Sequence, residues 1–518
     1  MYLTQSVHKG LREQPNAVAA ICGDERVTRA EFAQRVARLA GALQQLGMAP
    51  GERVGMLALN SIRYLEYLYG VWWAGGVINP CNFRWNAKEV AQSLDDCTTR
   101  ILLVDDAFVG EVPVIRAHST ALETIIYCGQ GRAPEGMLRY ESLIAQAQMV
   151  PDAGRSGDDL AAVMYTGGTT GSPKGVMLSH ANLYVNAQIV AAAVARPEMQ
   201  ATLVVAPMFH VAGCGLALQA MLRLVPQVVL SLFDEVQILS AIEGHRIDAV
   251  FLVPLMIQRL IEHPNFAQWD VSSLKLMAYG AAPIDSKLLN RAMLALPGAE
   301  FCQSYGMTEL SPVVSLLGAR EHRPGPERDR LLRSAGRPLP FVEVRIVDPN
   351  GRECAAGQVG EITVRGPSVM LGYWNRPAES SGAIKDGWMH TGDGGYLDAD
   401  GFLYVVDRIK DMIISAGENV YSAEVEDVIS KLPQVQLCAV IGVPDDRWGE
   451  RVHAVVVLRE GASLDAQTLI ARCREHLGGY KCPRSVEFRA ALPTSAAGKL
   501  QKAALREPYW AGRDRQVN

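Results

Sequence analysis

The sequence predicts a large α/β part followed by a smaller α+β part, and three patterns support this fold class. Short apolar runs alternate with amphipathic helical stretches over the first 340 or so residues, as in layered α/β domains with mostly parallel strands. From Val342 onward, β-type runs and tight turns replace this alternation. After Asp407-Arg408 the pattern returns to mixed helix and strand.

Individual elements follow from local signals. Thr28 and Glu31 form a Thr-x-x-Glu capping box. Apolar residues then recur at helical spacing as far as Leu43, and Gly47 ends the predicted helix. The predicted strands cover residues 53–59, 101–104, 201–206, 228–232, 249–253, 276–279, 342–348, 360–366 and 402–406.

Length and composition exclude several classes of protein. A chain of 518 residues predicts more than one domain, and 49% hydrophobic with 20% charged residues is typical of a globular protein. A net charge of −5 argues against a nucleic-acid partner. Ten cysteines without metal-ligand spacing, and an N-terminus without an apolar signal segment, predict a cytoplasmic protein with reduced thiols.

The uncharged stretch 199–222 is long enough to span a bilayer. It contains Pro207, Gly213, Gly215 and Gln219, which favour a buried strand, a loop and a buried helix. We therefore expect no transmembrane span, while peripheral membrane contact stays open.

The most informative segment is the glycine-rich run 165–176, YTGGTTGSPKGV, which lies between two apolar runs. This order predicts strand, loop and strand. Glycine backbone, hydroxyls and the lysine are groups that bind phosphate, although a flexible surface turn has a similar composition. The loop is not a Walker A motif, since Ser172 and Pro173 separate Gly171 from Lys174.

Three distant segments carry further polar groups. SYGMTE at 304–309 offers an aromatic ring for a purine, a hydroxyl for phosphate and a carboxylate for Mg²⁺. TGD at 391–393 offers a carboxylate for ribose hydroxyls, and PTSAAGK at 493–499 places a lysine in a second loop. Each segment taken alone also suits a solvated turn or a surface lysine.

Together these segments resemble the adenylate-forming superfamily, which includes acyl-CoA synthetases, firefly luciferase and peptide-synthetase adenylation domains. The resemblance covers nearly the whole chain. The eight motifs that carry it, in order, are YTGGTTGSPKG at 165–175, PMFH at 207–210, YGAAP at 279–283, SYGMTE at 304–309, HTGD at 390–393, DRIKDMI at 407–413, SAGENVYSAEVE at 415–426 and PTSAAGK at 493–499.

The resemblance implies that ATP and a carboxylic acid form an acyl-adenylate, which then reacts with the thiol of coenzyme A. It implies Lys499, Thr308, Glu309 and His210 as catalytic residues, with Glu309 binding Mg²⁺. The implied ATP-binding residues are Thr166, Gly167, Gly168, Thr169, Thr170, Gly171, Lys174, Gly280, Ala281, Ala282, Ser304, Tyr305, Gly306, Met307, Thr308, Asp393, Arg408 and Lys499.

The resemblance also implies two domains, an N-terminal adenylation domain at 1–407 that includes a small β-barrel and a mobile C-terminal domain at 408–518. The hinge would lie near Lys410, and rotation about it would exchange Lys499 for the segment 415–419 at the nucleotide. The implied coenzyme A residues are Ser415, Ala416, Gly417 and Trp448, although a packing role suits Trp448 equally well.

The chain departs from the usual family pattern at three places. Gly167 stands where a serine is common, Ser422 replaces a frequent proline, and residues 494–497 vary the run before Lys499. None of these changes removes a residue with an assigned charge.

The acyl pocket implied by the resemblance is small and apolar. Without a carboxylate for an ammonium group, it disfavours amino-acid substrates and leaves fatty, aryl and arylpropenoic acids open. Its implied residues are His210, Val211, Ala212, Gly213, Cys214, Tyr279, Gly280, Gly306, Met307 and Val313.

Three functions compete at the level of sequence. An acyl-CoA ligase is the first. A stand-alone adenylation enzyme that loads a carrier protein is the second, and a non-catalytic nucleotide-binding protein is the third. The charged residues that the motifs supply disfavour the third. Self-association into a homo-oligomer stays open.

Overall fold

The computed structural model describes residues 1–166, 173–194, 199–282, 284–408, 411–415, 418–445, 447–494 and 500–511, without the side chains of residues 408, 418 and 419. Three 3-10 turns cover Val109–Glu111, Phe266–Gln268 and Thr308–Leu310. The helices are α1 (Gln5–Glu13), α2 (Arg29–Gln45), α3 (Ile62–Trp73), α4 (Ala87–Asp96), α5 (Val112–His118), α6 (Tyr140–Gln146), α7 (His180–Ala193), α8 (Val211–Leu222), α9 (Glu235–His245), α10 (Pro254–Ile261), α11 (Ser286–Ala295), α12 (Ala319–His322), α13 (Arg328–Leu331), α14 (Pro377–Ala383), α15 (Ser422–Ser430), α16 (Ala466–Arg474) and α17 (Lys502–Trp510).

The strands are numbered in the same way. They are β1 (Val18–Cys22), β2 (Glu25–Thr28), β3 (Arg53–Leu57), β4 (Val77–Pro80), β5 (Ile101–Val104), β6 (Thr124–Tyr127), β7 (Leu138–Arg139), β8 (Leu160–Thr166), β9 (Lys174–Ser179), β10 (Thr202–Val204), β11 (Gln227–Val229), β12 (Ala249–Leu252), β13 (Leu276–Gly280), β14 (Glu300–Gly306), β15 (Val313–Leu317), β16 (Arg337–Pro338), β17 (Glu343–Val347), β18 (Gly360–Arg365), β19 (Gly372–Tyr373), β20 (Ile384–Lys385), β21 (Trp388–Leu397), β22 (Leu403–Arg408), β23 (Ile413–Ser415), β24 (Glu418–Val420), β25 (Val435–Asp445), β26 (Gly449–Leu458) and β27 (Ser485–Phe488).

Two mainly parallel sheets form the first part of the molecule. One has eight strands in the order β19-β9-β8-β4-β3-β5-β6-β7, and the other has nine in the order β16-β15-β14-β13-β12-β10-β11-β1-β2. An antiparallel sheet of β17, β18, β20, β21 and β22 forms a half-barrel, and β23 to β27 form the C-terminal sheet. The predicted α/β and α+β fold class is confirmed, with the half-barrel in place of the expected small barrel.

Local signals set where the first elements begin. The Thr28 hydroxyl accepts a hydrogen bond from the Glu31 backbone N–H, and the Glu31 carboxylate accepts one from the Thr28 backbone, so α2 starts at the predicted capping box. Strand β3 ends at Leu57, two residues before the predicted end, and Ser61 then caps α3. An apolar run predicts a strand but does not fix where its hydrogen bonds stop.

The uncharged stretch 199–222 forms β10, a loop and α8, as predicted. Strand β10 pairs with β11 and β12 in the interior of the nine-stranded sheet, and α8 packs against α7. Among the described residues, no helix combines the length and the apolar content needed to cross a bilayer.

A buried charge network joins α2, α3 and α6. The Arg35 guanidinium donates to both carboxylate oxygens of Glu66, at 2.5 and 3.0 Å, and the Tyr140 hydroxyl donates to Glu66 at 2.6 Å. The Glu66 side chain is completely buried, and burial raises its pKa against the opposing effect of Arg35. Arg35 also pairs with Glu141 at 2.9 Å, and Arg63 pairs with the same carboxylate at 2.9 Å, so two guanidinium groups balance two carboxylates.

Replacing Arg35 by methionine should destabilise the protein by about 3–5 kcal/mol, because Glu66 then loses its buried counter-charge. The control is Arg246→Met, whose pair with Asp270 is half exposed and should contribute about 1 kcal/mol or less. Urea unfolding at neutral pH measures both variants. Equal losses for the two variants would contradict the importance of the buried network.

His180, the first residue of α7, is a buried histidine with no partner for either ring nitrogen within the described residues. Its ring meets the Trp72 ring edge-on, with centroids 6.4 Å apart. Burial lowers its pKa from 6.5 to about 4, although the charge of Asp159 opposes this shift. The imidazole is therefore neutral in the folded protein at pH 5, where the unfolded chain binds a proton.

Stability should therefore fall as the pH drops from 6.5 towards 4, because the unfolded state then binds the extra proton. His180→Phe removes this contribution, so the wild type should lose roughly 2–3 kcal/mol relative to that variant between pH 7.5 and 4.5. Unfolding free energies at both pH values give the difference. The exposed His476→Gln is the control, and a pH-independent difference for His180→Phe would contradict the assignment.

Candidate active site

A cleft of 3620 Å³ runs between the two mainly parallel sheets, the half-barrel and the C-terminal part of the chain. Polar side chains reach it from elements that lie far apart in the sequence. The sequence-predicted residues on its wall are Thr166, Lys174, His210, Val211, Ala212, Ala281, Ala282, Ser304, Tyr305, Gly306, Met307, Thr308, Glu309, Val313 and Asp393.

The two strands predicted on either side of the glycine-rich segment are present as β8 and β9, and residues 167–172 between them lie outside the described residues. Strands β8 and β9 pair antiparallel, and Thr166 lies opposite Lys174 where the hairpin leaves the sheet. Lys174 Nζ lies 3.7 Å from a carboxylate oxygen of Glu379 and 5.1 Å from the centroid of the Tyr373 ring. A lysine over an aromatic face and beside a carboxylate is held in place at the cleft wall.

Thr308 and Glu309 follow β14 in a 3-10 turn, and both side chains are buried. The Tyr373 hydroxyl donates a hydrogen bond of 2.9 Å to the Glu309 carboxylate. Burial, with Glu309 beside it, holds the pKa of Tyr373 well above its usual range, so the hydroxyl remains a donor. Tyr373 thus connects the cation Lys174 with the carboxylate Glu309.

The donor set around Glu309 suits a magnesium ion that also binds substrate phosphate. Mg²⁺ in phosphoryl-transfer sites is held by one or two carboxylates and completed by phosphate oxygens and water. Within the described residues no group of three or more His, Cys, Asp and Glu side chains could hold a metal by itself. The single carboxylate of Glu309 is therefore a suitable ligand for a Mg²⁺ ion that also binds phosphate and water. It is not enough to form a metal site from protein side chains alone.

A second polar pair also lies on the cleft wall. The Tyr305 hydroxyl donates a hydrogen bond of 2.7 Å to the Asp393 carboxylate, and Asp393 in β21 lies opposite Arg408 in β22. The segment after β13 completes this region, with Ala281 in the left-handed region at φ +64°. Gly280 lies so close to the Ser304 carbonyl that a Cβ would come within 2.3 Å of its oxygen.

Four residues that the resemblance places in the acyl pocket are not on the described cleft wall, namely Gly213, Cys214, Tyr279 and Gly280. Tyr279 alternates with Ala278 along β13, so it faces the opposite side of the sheet, and its hydroxyl donates to His322 Nε2 at 2.9 Å. Gly213 packs against the backbone of residues 206–207, and Cys214 is fully buried in the core. Helical and strand periodicity turn Gly213, Cys214 and Tyr279 away from the cleft.

The cleft-lining face of α8 includes Leu216 and Gln219, which no sequence motif covers. Ala212, Leu216 and Gln219 all line the cleft, at spacings of four and three residues. This spacing places them on one face of the helix. The sequence could have predicted these residues, because positions four and seven residues after Ala212 lie on the same face of a helix.

Two predicted coenzyme A residues, Ser415 in the C-terminal sheet and Trp448 in the turn before β26, lie near each other, and neither lines the described cleft. Ser415 in β23 pairs with Gly449 in β26, next to Trp448. The guanidinium carbons of Arg447 and Arg484 lie 4.8 and 4.1 Å from the centroid of the Trp448 ring. Outside the described residues lie Gly167, Gly168, Thr169, Thr170, Gly171, Lys410, Ala416, Gly417 and Lys499, together with the Arg408 side chain.

The fold and the cleft define an adenylate-forming enzyme, and comparison with known proteins agrees. Residues 7–374 match the AMP-binding enzyme family, and residues 424–499 match the AMP-binding enzyme C-terminal domain. This chain therefore belongs to the AMP-binding enzyme family.

Individual relatives share nearly the whole chain. It is 40% identical to a feruloyl-CoA synthase of Amycolatopsis over 96% of this chain and 97% of the relative. It is 34% identical to the medium/long-chain fatty acid–CoA ligase FadD8 of Mycobacterium tuberculosis, covering 98% and 90%. The crystal structure of ATP-bound MatB from Rhodopseudomonas palustris superposes with a TM-score of 0.89 at 29% identity, covering 99% of both chains.

Proposed function

We propose that this protein is an AMP-forming acid–thiol ligase that converts a carboxylic acid into its coenzyme A thioester. In the first step a carboxylate oxygen attacks the α-phosphorus of ATP, the bond to the β-phosphate oxygen breaks and pyrophosphate leaves. In the second step the coenzyme A sulfur attacks the acyl carbon, the thiol proton is lost and AMP leaves. The observation that carries the proposal is the convergence of Lys174, Thr308, Glu309 and Asp393 on one cleft.

The cleft residues suit the first step because two anions must approach each other there. Lys174 lies where it would offset the charge of the β- and γ-phosphates, and Thr308 would donate to the α-phosphate. Glu309 would hold Mg²⁺, which when bound neutralises phosphate charge. Tyr305 fixes the orientation of Asp393, whose carboxylate would accept hydrogen bonds from ribose hydroxyls.

The C-terminal part of the chain would contribute to both steps. Lys499 would stabilise the charge that develops during adenylation, and the family resemblance supports a rotation near Lys410 that removes it afterwards. Trp448 offers an aromatic face for the adenine of coenzyme A, with Arg447 and Arg484 beside it for phosphate. The family resemblance also supports a domain boundary between residues 407 and 408.

The substrate of this ligase is an apolar or aryl carboxylic acid. The described cleft wall between α7, α8 and the nine-stranded sheet is largely apolar, and its members include Val190, Val194, Ala212, Leu216, Ala249, Leu276, Cys302 and Val313. The curated names of the relatives, feruloyl-CoA synthase and fatty acid–CoA ligase, support the same two classes of acid. All ten cysteines are free thiols, which favours a reducing cytoplasmic location.

Pyrophosphate release should require ATP, Mg²⁺ and a carboxylic acid, whereas acyl-CoA should form only when coenzyme A is added. A panel of hydroxycinnamic, benzoic and straight-chain acids, analysed by a coupled pyrophosphate assay and by mass spectrometry, measures both products. ADP and phosphate in place of AMP and pyrophosphate would exclude the proposed reaction. Transfer to a pantetheine-bearing carrier protein but not to coenzyme A would favour the carrier-loading alternative.

Lys499→Ala should lower the rate of acid-dependent pyrophosphate release roughly 100- to 1000-fold, because it removes one charge stabiliser of the adenylation step. Thioester formation from supplied acyl-adenylate should change much less, since that step does not use this lysine. The exposed Lys385→Ala is the matched control and should leave both half-reactions unchanged. Equal losses in both half-reactions would contradict the separate use of Lys499.

A further inference from the structure

Tyr373, which none of the eight sequence motifs covers, contacts charged groups on two separate elements. It lies in β19, which pairs antiparallel with β9 and places Tyr373 opposite Val176. Residues two apart on a strand point to the same face, so an aromatic ring opposite Val176 also reaches Lys174. Tyr373 lines the cleft with only 9% of its surface exposed, so its side chain belongs to the packed wall of the site.

The backbone around Tyr373 is fixed to both of the elements that its side chain contacts. The Trp374 N–H donates a hydrogen bond of 2.8 Å to the Gly175 carbonyl in β9, and the Met370 N–H donates one of 2.9 Å to the Glu309 carbonyl. The segment thus joins β9 to the turn that follows β14. Because it is held from both sides, the Tyr373 side chain has little freedom to move relative to either charge.

The hydroxyl and the ring of Tyr373 act on opposite charges. The torsion that turns a glutamate carboxylate has only a broad preference, so a hydrogen bond from a fixed donor is what orients it. The Tyr373 hydroxyl supplies that bond to Glu309 Oε1 at 2.9 Å. The ring face attracts the Lys174 ammonium, whose nitrogen lies 5.1 Å from the ring centroid. Because the ring is rigid, one side chain sets the spacing between the cation and the carboxylate.

We propose that Tyr373 is a positioning residue for adenylation, which orients the Glu309 carboxylate for Mg²⁺ and holds Lys174 beside the phosphates. The hydrogen-bond partners of metal-binding carboxylates tune metal affinity in this way, and their removal typically lowers it roughly 10- to 100-fold. Tyr373 acts through Glu309 and Lys174 and not on the reacting atoms. This inference rests on the proposed ligase function and adds the group on which its magnesium and phosphate contacts depend.

Two substitutions separate the hydroxyl from the ring. Tyr373→Phe keeps the ring under Lys174, so it should raise the Mg²⁺ concentration for half-maximal pyrophosphate release roughly 10- to 100-fold at fixed ATP. The KM values for ATP and for the acid should stay unchanged at saturating Mg²⁺. Tyr373→Leu removes the ring as well, so it should also raise the KM for ATP at saturating Mg²⁺, by roughly 3- to 10-fold.

Tyr140→Phe is the matched control, because it removes a hydroxyl that donates to another buried glutamate. Tyr140 donates to Glu66 at 2.6 Å, in the network of α2, α3 and α6 and away from the described cleft wall. Its loss should leave the Mg²⁺ requirement unchanged. Equal shifts in the Mg²⁺ requirement for Tyr373→Phe and Tyr140→Phe would overturn the inference, since the effect would then be a general loss of packing.

Binding supplies a second readout that does not depend on turnover. Calorimetry with α,β-methylene-ATP, whose α–β bridge cannot be cleaved, gives the dissociation constant with Mg²⁺ and with EDTA. Tyr373→Phe should weaken binding in Mg²⁺ by at least 10-fold, leave binding in EDTA unchanged and have no further effect in a Glu309→Gln background.

The inference is overturned if Tyr373→Phe weakens binding by the same factor in Mg²⁺ and in EDTA, or if it acts equally with and without the Glu309 carboxylate. A loss confined to Mg²⁺, in a protein that releases no pyrophosphate with any acid of the panel, would overturn the ligase proposal and leave the positioning role of Tyr373 standing.

Discussion

A carboxylate and a polyphosphate repel each other, and the cleft is organised around offsetting that repulsion. Lys174 supplies a positive charge from one side, and Glu309 supplies a carboxylate suited to a magnesium ion. The Tyr373 side chain lies between them, with its ring under the lysine and its hydroxyl on the carboxylate. Because these contacts join β9, β19 and the turn after β14, the position of the charges depends on how those elements pack.

Much of the fold could be predicted because local chemistry determines it. The capping box of Thr28 and Glu31 fixes the start of α2. The antiparallel pairing of β8 with β9, which ends at Thr166 and Lys174, follows from the apolar runs on either side of the glycine-rich segment. The polar residues of the cleft could be predicted for a related reason. They lie in short motifs whose order along the chain is specific to one superfamily.

The remaining features depend on contacts between distant parts of the chain. The hydrogen bond between Tyr373 and Glu309 joins residues 64 positions apart, and no local sequence pattern predicts it. Tyr279 was expected at the acyl pocket, yet strand alternation and its bond with His322 turn it to the other face. Alternation predicts that Ala278 and Tyr279 face opposite sides, but only tertiary packing decides which of the two meets the cleft.

The central claim is that the acid attacks the α-phosphorus of ATP, and isotope transfer tests it most directly. A carboxylic acid labelled with ¹⁸O in both oxygens is incubated with enzyme, ATP, Mg²⁺ and coenzyme A, and the products are analysed by mass spectrometry. The account predicts that AMP gains one ¹⁸O atom from the acid and that the thioester keeps the other. Label in phosphate or pyrophosphate, with none in AMP, would contradict it.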